Sequence, residues 1–168
     1  MTMGRLPFLG DARGTAAAEM ALLLPLLLML LMGTFEGGYF LWSEHKVVKG
    51  VRDGARYAAR HDFTDFTCPS TIDSTLQDDV KNLVRTGTAD GSGSAAVPGW
   101  VNDDVTVTLT CDDDPDLGTD SGIYAALGTA PRVKVSASVP YPSLFGTFGF
   151  STTSLHLNAS AQAAVMGL

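Results

Sequence analysis

Cysteine and histidine are scarce in this chain of 168 residues, which excludes several kinds of site. Only Cys68 and Cys111 are present, without a Cys-x-x-Cys pair, and no nearby His pair completes a zinc set of about four ligands. His45, His61 and His156 are scattered along the chain, and no nucleophile elbow, phosphate loop or paired-acid motif occurs. The sequence therefore predicts a protein that is not an enzyme and needs no cofactor, calcium being the one alternative.

Positive charge is also scarce in the downstream part of the chain. From His61 onward the sequence has thirteen Asp, no Glu and four basic residues, a formal charge of −9. Nucleic-acid binding requires a basic face, so this composition predicts no nucleic-acid partner. All three Glu residues lie upstream, at positions 19, 36 and 44, in a segment where good helix formers are frequent.

One long apolar run dominates the N-terminal part. From Ala16 to Phe35 every residue except Glu19 is uncharged. These 20 positions span about 30 Å as a helix, close to the thickness of a bilayer core. An ionised group inside such a stretch costs roughly 2.5–3.5 kcal/mol, so it normally has a partner. The lone acid predicts that a positive group comes to meet Glu19.

The start of this run resembles the class III signal of type IV pilin-like proteins. Residues Gly14-Thr15-Ala16-Ala17-Ala18-Glu19 place a Glu five positions after a Gly that follows a basic leader. A second block, Gly50-Val51-Arg52-Asp53-Gly54-Ala55-Arg56-Tyr57-Ala58-Ala59, is close to the REGARYAA run of TadE-like proteins. With both blocks, the chain looks like a TadE-like pseudopilin of the tight-adherence (Tad) pilus system.

The resemblance implies processing, assembly and location. A prepilin peptidase would cut between Gly14 and Thr15, and the new amine of Thr15 would pair with Glu19 of a neighbouring subunit. The implied partners are other pilin-like subunits, the pilus assembly machinery, the peptidase and the membrane. The implied role is a minor pilin-like subunit or initiator of a Tad pilus, with a link to adhesion, in a bacterial inner membrane.

Other interpretations of the apolar run remain open at the level of sequence. An independent single-pass anchor carrying a binding module would show a similar run, and so would a secretory signal, although the small residues here precede the apolar core. The positive-inside count places the downstream part in the cytoplasm, because five basic residues follow the run and two precede it. The short leader, the two cysteines and the cleavage signal instead predict an exported domain.

Periodicity predicts an α+β fold, with a long membrane-spanning helix followed by a small exported domain of helix and antiparallel sheet. The expected segments are a leader at 1–14, a transmembrane helix at 15–42, its extramembrane continuation at 43–61 and a globular domain at 62–168. Helical spacing predicts a second helix from Ile72 to Val84 that ends at Gly87. Alternation predicts three strands, at 105–110, 133–139 and 155–161, whose buried face the two helices would cover.

The second helical part of the long run has two distinct faces in sequence. Lys49, Arg52, Arg56 and Arg60 form a basic stripe. Small and β-branched residues form another face, which either packs on the chain's own domain or joins a bundle with other helices. These residues are Val48, Val51, Ala55, Ala58 and Ala59.

Two further features concern the downstream part. In an exported domain Cys68 and Cys111 most simply form one disulfide, the alternative being two free buried thiols.

Asp112, Asp114, Asp116 and Asp120 have the spacing of an oxygen-rich calcium loop. An EF-hand, however, needs Gly and Glu where Leu117 and Ile123 stand. A solvated acidic loop is therefore the default, with calcium as the alternative.

Overall fold

The computed structural model describes residues 13–112, 122–148 and 154–167. It contains one long helix, α1, from Arg13 to Ala58, followed by a mixed domain with a second helix and antiparallel strands. The chain divides into two compact units, residues 1–38 and 39–168, and α1 contributes to both. The α+β class predicted from the sequence is confirmed.

Helix α1 is 46 residues long and continues through Pro25. Leu, Met and Ala supply most of its first half, and these residues are among the best helix formers. Arg56 lies in the last turn, where a positive charge is favourable beside the unpaired carbonyl groups. Compared with the predicted extent, which was 15–42 with its continuation at 43–61, the helix begins two residues earlier and ends three residues earlier.

The second helix, α2, runs from Ser74 to Thr86. The Asp73 carboxylate caps it by accepting hydrogen bonds from the backbone N–H groups of Thr75 at 2.8 Å and Leu76 at 3.2 Å. Gly87 ends it in the left-handed conformation, with φ of 83°, as the Thr86-Gly87 signal predicts. The prediction that Ile72 belongs to this helix is wrong, because Ile72 lies in a short strand before the cap.

Two antiparallel sheets, one of two strands and one of three, belong to the domain. A small ribbon joins β1 (Phe66–Thr67) to β2 (Thr71–Ile72). The main sheet has the order β3-β4-β5, formed by Val105–Asp112, Ala130–Pro140 and His156–Ala164. The prediction that Leu155 lies inside the third strand is wrong: β5 begins at His156, and Leu155 is exposed.

The core lies between the inner face of the sheet and the two helices. On β4, Val133, Val135, Ala137 and Val139 are buried, while the alternate residues Lys134, Ser136 and Ser138 are partly or fully exposed. This alternation is the period-two pattern that predicted the strands. Both helices contribute to the same buried cluster, as expected: Val47, Val51, Ala55 and Ala58 from α1, and Leu76, Val80 and Val84 from α2.

Candidate functional site

The N-terminal unit of the protein presents an apolar helix surface that its own chain does not cover. Every residue from Ala16 to Phe35 is exposed, including Leu22 at 80% and Met29 at 74% of the full side-chain area. An exposed apolar surface of this extent is not stable in water and requires either lipid or another protein. The core helix of a soluble protein would be mostly buried, so that explanation does not fit this helix. A signal sequence, in contrast, can have the same length and apolar composition.

The residues predicted for processing and assembly lie at the beginning of α1. Gly14 and Thr15 belong to its first turn, and Glu19 is exposed one turn after Thr15. Four residues correspond to an axial distance of about 6 Å, and positions i and i+4 share one face of a helix. An amine created at Thr15 would therefore lie level with the Glu19 of a parallel neighbouring helix that is displaced by one turn.

The second half of α1 packs on its own domain through two glycines. A Cβ added to Gly50 would collide with the backbone carbonyl oxygen of Val84, and one added to Gly54 would collide with the Val84 side chain. These glycines are four residues apart, so they lie on one face of α1 and let α2 approach closely. The sequence analysis predicts neither this close approach nor the contact with Val84. The sequence feature that could have indicated it is the pair of glycines four residues apart in a helical segment.

The small-residue face of α1 is occupied by the chain itself. Val51, Ala55, Ala58 and Ala59 are all at most 2% exposed, within the domain core. The bundle alternative for this face is therefore wrong, because the surface is already buried. Val48 differs from the other four, since it is only partly buried.

The basic stripe lies on the opposite, solvent-facing side of this part of α1. Lys49, Arg52, Arg56 and Arg60 are all exposed, as their spacing predicts. Lys49 donates to the Asp53 carboxylate at 2.8 Å, an i,i+4 pair on the helix surface. Exposed pairs of this kind contribute little to stability, about 0.3–0.5 kcal/mol. The stripe is therefore a feature of surface charge and not of the core.

Polar contacts stabilise the end of α1. The rings of Tyr57 and His61 meet edge-on at 4.9 Å, and Nδ1 of His61 lies 3.1 Å from the Asp65 carboxylate. Burial raises the pKa of Tyr57 above its usual 10.0, with a smaller contribution from the charge of Asp79 on α2. The backbone N–H of Met166 donates to the Ala59 carbonyl at 2.8 Å, which joins the segment after β5 to this end of the helix.

The structure joins Cys68 and Cys111 in a disulfide, as the sequence predicts, with the two Cα atoms 5.9 Å apart. The bridge connects the turn after β1 to β3, so it lies in the same unit as the sheet.

The calcium alternative is not tested by the described residues. Asp114, Asp116 and Asp120 lie outside them, and for Asp112 only the backbone is described. Among the described residues, no cluster of three or more potential metal ligands occurs.

The apolar run, the glycines at 50 and 54 and part of the basic stripe lie in one stretch of sequence. Residues 14–56 match the model of the TadE-like protein family. This TadE-like segment, residues 14–56, contains the first of the two sequence blocks and residues 50–56 of the second. A search of curated proteins and a search of solved structures returned no match.

The match has a direct structural meaning. The TadE-like segment comprises most of α1, including the exposed apolar half and the part that packs on α2. It ends before the sheet, so the family match includes none of β3, β4 or β5. The match is consistent with a TadE-like pilin-like protein, and the part of the chain that it covers is a helix.

Proposed function

We propose that this protein is a minor pilin-like subunit, or an initiator, of a Tad-type pilus. The observation that carries the proposal is the exposed apolar helix of residues 16–35, interrupted only by Glu19 and contained in the TadE-like segment. A prepilin peptidase removes residues 1–14. The remaining helix holds the protein in the bacterial inner membrane, with residues 43–168 on the outer side.

Assembly in this proposal depends on the charge of Glu19. In the dry environment of a membrane or helix bundle, an isolated carboxylate is unfavourable, and so is an isolated amine. A neighbouring subunit displaced by one helical turn brings its Thr15 amine beside Glu19, and both charges are then compensated. The pairing fixes the axial offset between subunits and leaves the exposed apolar side chains of α1 to pack against other helices or lipid.

The size of the second unit favours a minor or initiating role over that of the repeating subunit. Residues 39–168 form a packed domain with its own core and a disulfide. An independent membrane-anchored binding module is the alternative, and it requires the same apolar helix but neither Glu19 nor cleavage at Gly14.

The Glu19→Ala variant tests this proposal. We expect cleavage and membrane insertion to persist, because the apolar run is unchanged and removal of the charge favours insertion by about 2.5–3.5 kcal/mol. Pilus assembly should fall strongly, because the amine of the neighbouring subunit loses its partner. The measurement is the amount of sheared pili per cell at equal levels of the protein in the membrane.

Glu44→Ala is the matched control, since it removes the same side chain from α1 at a position outside the apolar run. It should leave pilus assembly at the wild-type level. Wild-type assembly with Glu19→Ala would contradict the proposed pairing. Loss of assembly with both variants would show that the effect is not specific to the position of Glu19.

A further inference from the structure

A patch of apolar and aromatic side chains lies on the second unit where α1 enters it. Leu41 and Trp42 are about half exposed, at 57% and 49%, and follow the apolar run along the same helix. Tyr39 stacks on Trp42 with ring centroids 5.6 Å apart, and Nζ of Lys46 lies 3.6 Å from the centre of the Trp42 ring. Tyr and Trp are enriched where a membrane-spanning helix meets the headgroup region.

A distant part of the chain joins this patch through Tyr141, the residue after β4. The ring of Tyr141 meets Phe40 edge-on at 5.1 Å and lies 6.0 Å from the ring of Tyr39. The backbone N–H of Tyr141 donates to the carbonyl of Leu155 at 2.9 Å. Leu155 is therefore adjacent to Tyr141, and its side chain is 48% exposed.

The turn after Tyr141 adds another exposed apolar side chain. Ser143 organises it: its backbone N–H donates to the Tyr141 carbonyl at 3.0 Å, and its hydroxyl accepts from the Phe145 N–H at 3.1 Å. Leu144, between these residues, is 44% exposed. We call the exposed side chains of Leu41, Trp42, Leu144 and Leu155 the aromatic patch, together with the Tyr39 ring that supports it.

The charge distribution identifies what would cover this patch. The sequence from Val135 to Leu155 contains no Asp, Glu, Lys, Arg or His, although the chain from His61 onward carries a formal charge of −9. An acidic surface is repelled by anionic headgroups, whereas a neutral surface with Tyr, Trp and Leu is compatible with them. Leu144 and Leu155, two of the exposed side chains of the patch, belong to this uncharged stretch.

We infer that the aromatic patch rests in the interfacial layer of a phospholipid bilayer, so that the second unit has a lipid contact besides its helix. The inference rests on the proposed insertion of α1 in the membrane. Leu144 and Leu155 provide this additional contact from outside α1. The contact fixes the domain against the membrane surface before the subunit enters a fibre.

Tryptophan quenching by lipids tests this contact in the full chain. The protein is reconstituted at low density in vesicles of phosphatidylcholine and phosphatidylglycerol whose acyl chains carry bromine near the headgroup. Leu144→Trp is made with Trp42→Phe, so that Trp100, which is only 2% exposed, is the other tryptophan that remains. We expect bromine to quench roughly half or more of the added emission, which should also shift to shorter wavelength.

Ile123→Trp in the same Trp42→Phe background is the matched control. Ile123 is also an exposed apolar residue of the second unit, at 56%, but it lies beside Arg56 and Arg60. Arg56 lies 14 residues after Trp42, which is about 20 Å along the helix, and Arg60 lies four residues further along the chain. Ile123 is therefore distant from the aromatic patch. The emission of the tryptophan at position 123 should remain unquenched. Leu155→Trp is a second test variant and should behave like Leu144→Trp.

The outcomes separate this inference from the proposed function. Quenching of Trp42 in the otherwise wild-type chain, without quenching at position 144 or 155, would overturn the lipid contact and leave membrane insertion intact. No quenching at any of the three positions would overturn both. Emission at 144 that is shifted but unquenched, and that changes with protein density, would overturn the lipid contact in favour of a second protein copy.

Discussion

The two halves of α1 have similar backbone structure but opposite surroundings. In the first half, Leu22 and Met29 are largely exposed, whereas in the second half Val47 and Val51 are 1% exposed. The second half is specified by the chain's own core, into which its apolar side chains fit. The first half has no such core, so its apolar side chains need lipid or another protein to cover them.

Charge follows the same division. The first half carries Glu19 within its apolar run, and the exposed side of the second half carries Lys49, Arg52 and Arg56. A buried helix face tolerates charges only with partners, while a solvated face tolerates them freely. In the membrane or helix bundle that we propose for the first half, Glu19 would therefore need a partner, whereas the solvated basic stripe does not.

Removal of the disulfide should have the largest effect on the second unit and no effect on the first. The double variant Cys68→Ser, Cys111→Ser frees a loop of 43 residues, which should lower the free energy of unfolding by about 3–4 kcal/mol in the chain-entropy model. Urea unfolding followed by the fluorescence of buried Trp100 measures this loss. Vesicle association should be unchanged, because it depends on the apolar run. An unchanged urea midpoint would show that the bridge does not stabilise the domain.

The glycines of α1 allow a matched test of its two halves. Gly50→Ala should destabilise the second unit by about 1–3 kcal/mol, because the new Cβ collides with the Val84 carbonyl and α2 must move. Gly37→Ala is the control, since a Cβ there has no neighbour within 4 Å and Ala is the better helix former. The urea midpoint should fall only for Gly50→Ala. Equal effects of both substitutions would contradict the distinction between the halves.

The smallest predicted effect concerns the cap of α2. Hydrogen bonds from the backbone N–H groups of Leu76 and Thr75 hold the pKa of Asp73 below its usual 3.8. The capped carboxylate therefore stabilises the fold fully above pH 3.8, and this contribution is lost as pH falls through the lowered pKa. Asp73→Ala should lower the Tm of the second unit at pH 7, and the difference from wild type should shrink at about pH 2.5.

The matched control for this measurement is Asp78→Ala, which removes another exposed Asp from α2 away from its cap. It should change the Tm less than Asp73→Ala does at pH 7. An Asp73→Ala difference that stays constant down to pH 2.5 would contradict the assigned role of the charged cap.

The predictable parts of this fold are those with a strong local period. Alternation of Val with Lys, Ser or Thr identified β3 and β4, and the spacing of Leu76, Val80 and Val84 identified α2. The ribbon of β1 and β2 was missed, because strands of two residues are too short to show alternation. The same shortness explains the wrong prediction for Ile72: its spacing from Leu76 fits a helix, and a strand of two residues shows no alternation that would oppose it.

The candidate site was predictable in part. A run of apolar residues and one acid are visible in sequence, so the helix and the position of Glu19 could be identified. The choice between an internal and an external partner for the face of Val51 and Ala55 could not be made, since small residues suit both. The burial of these side chains in the domain core, beside the close approach of α2 at Gly50, shows that this face is internal. The aromatic patch was not visible either, because Tyr141 is distant from Tyr39 in sequence.

Mass spectrometry of the protein from native membranes tests the central claim most directly. If the first half of α1 belongs to a processed pilin-like subunit, the mature chain should begin at Thr15, and its mass should be lower by residues 1–14. Replacing Gly14 with a bulky residue should abolish this shortening and leave the protein in the membrane, because the apolar run is unchanged. A full-length mass in a host that assembles Tad pili, or a new N-terminus beyond the apolar run, would contradict the account.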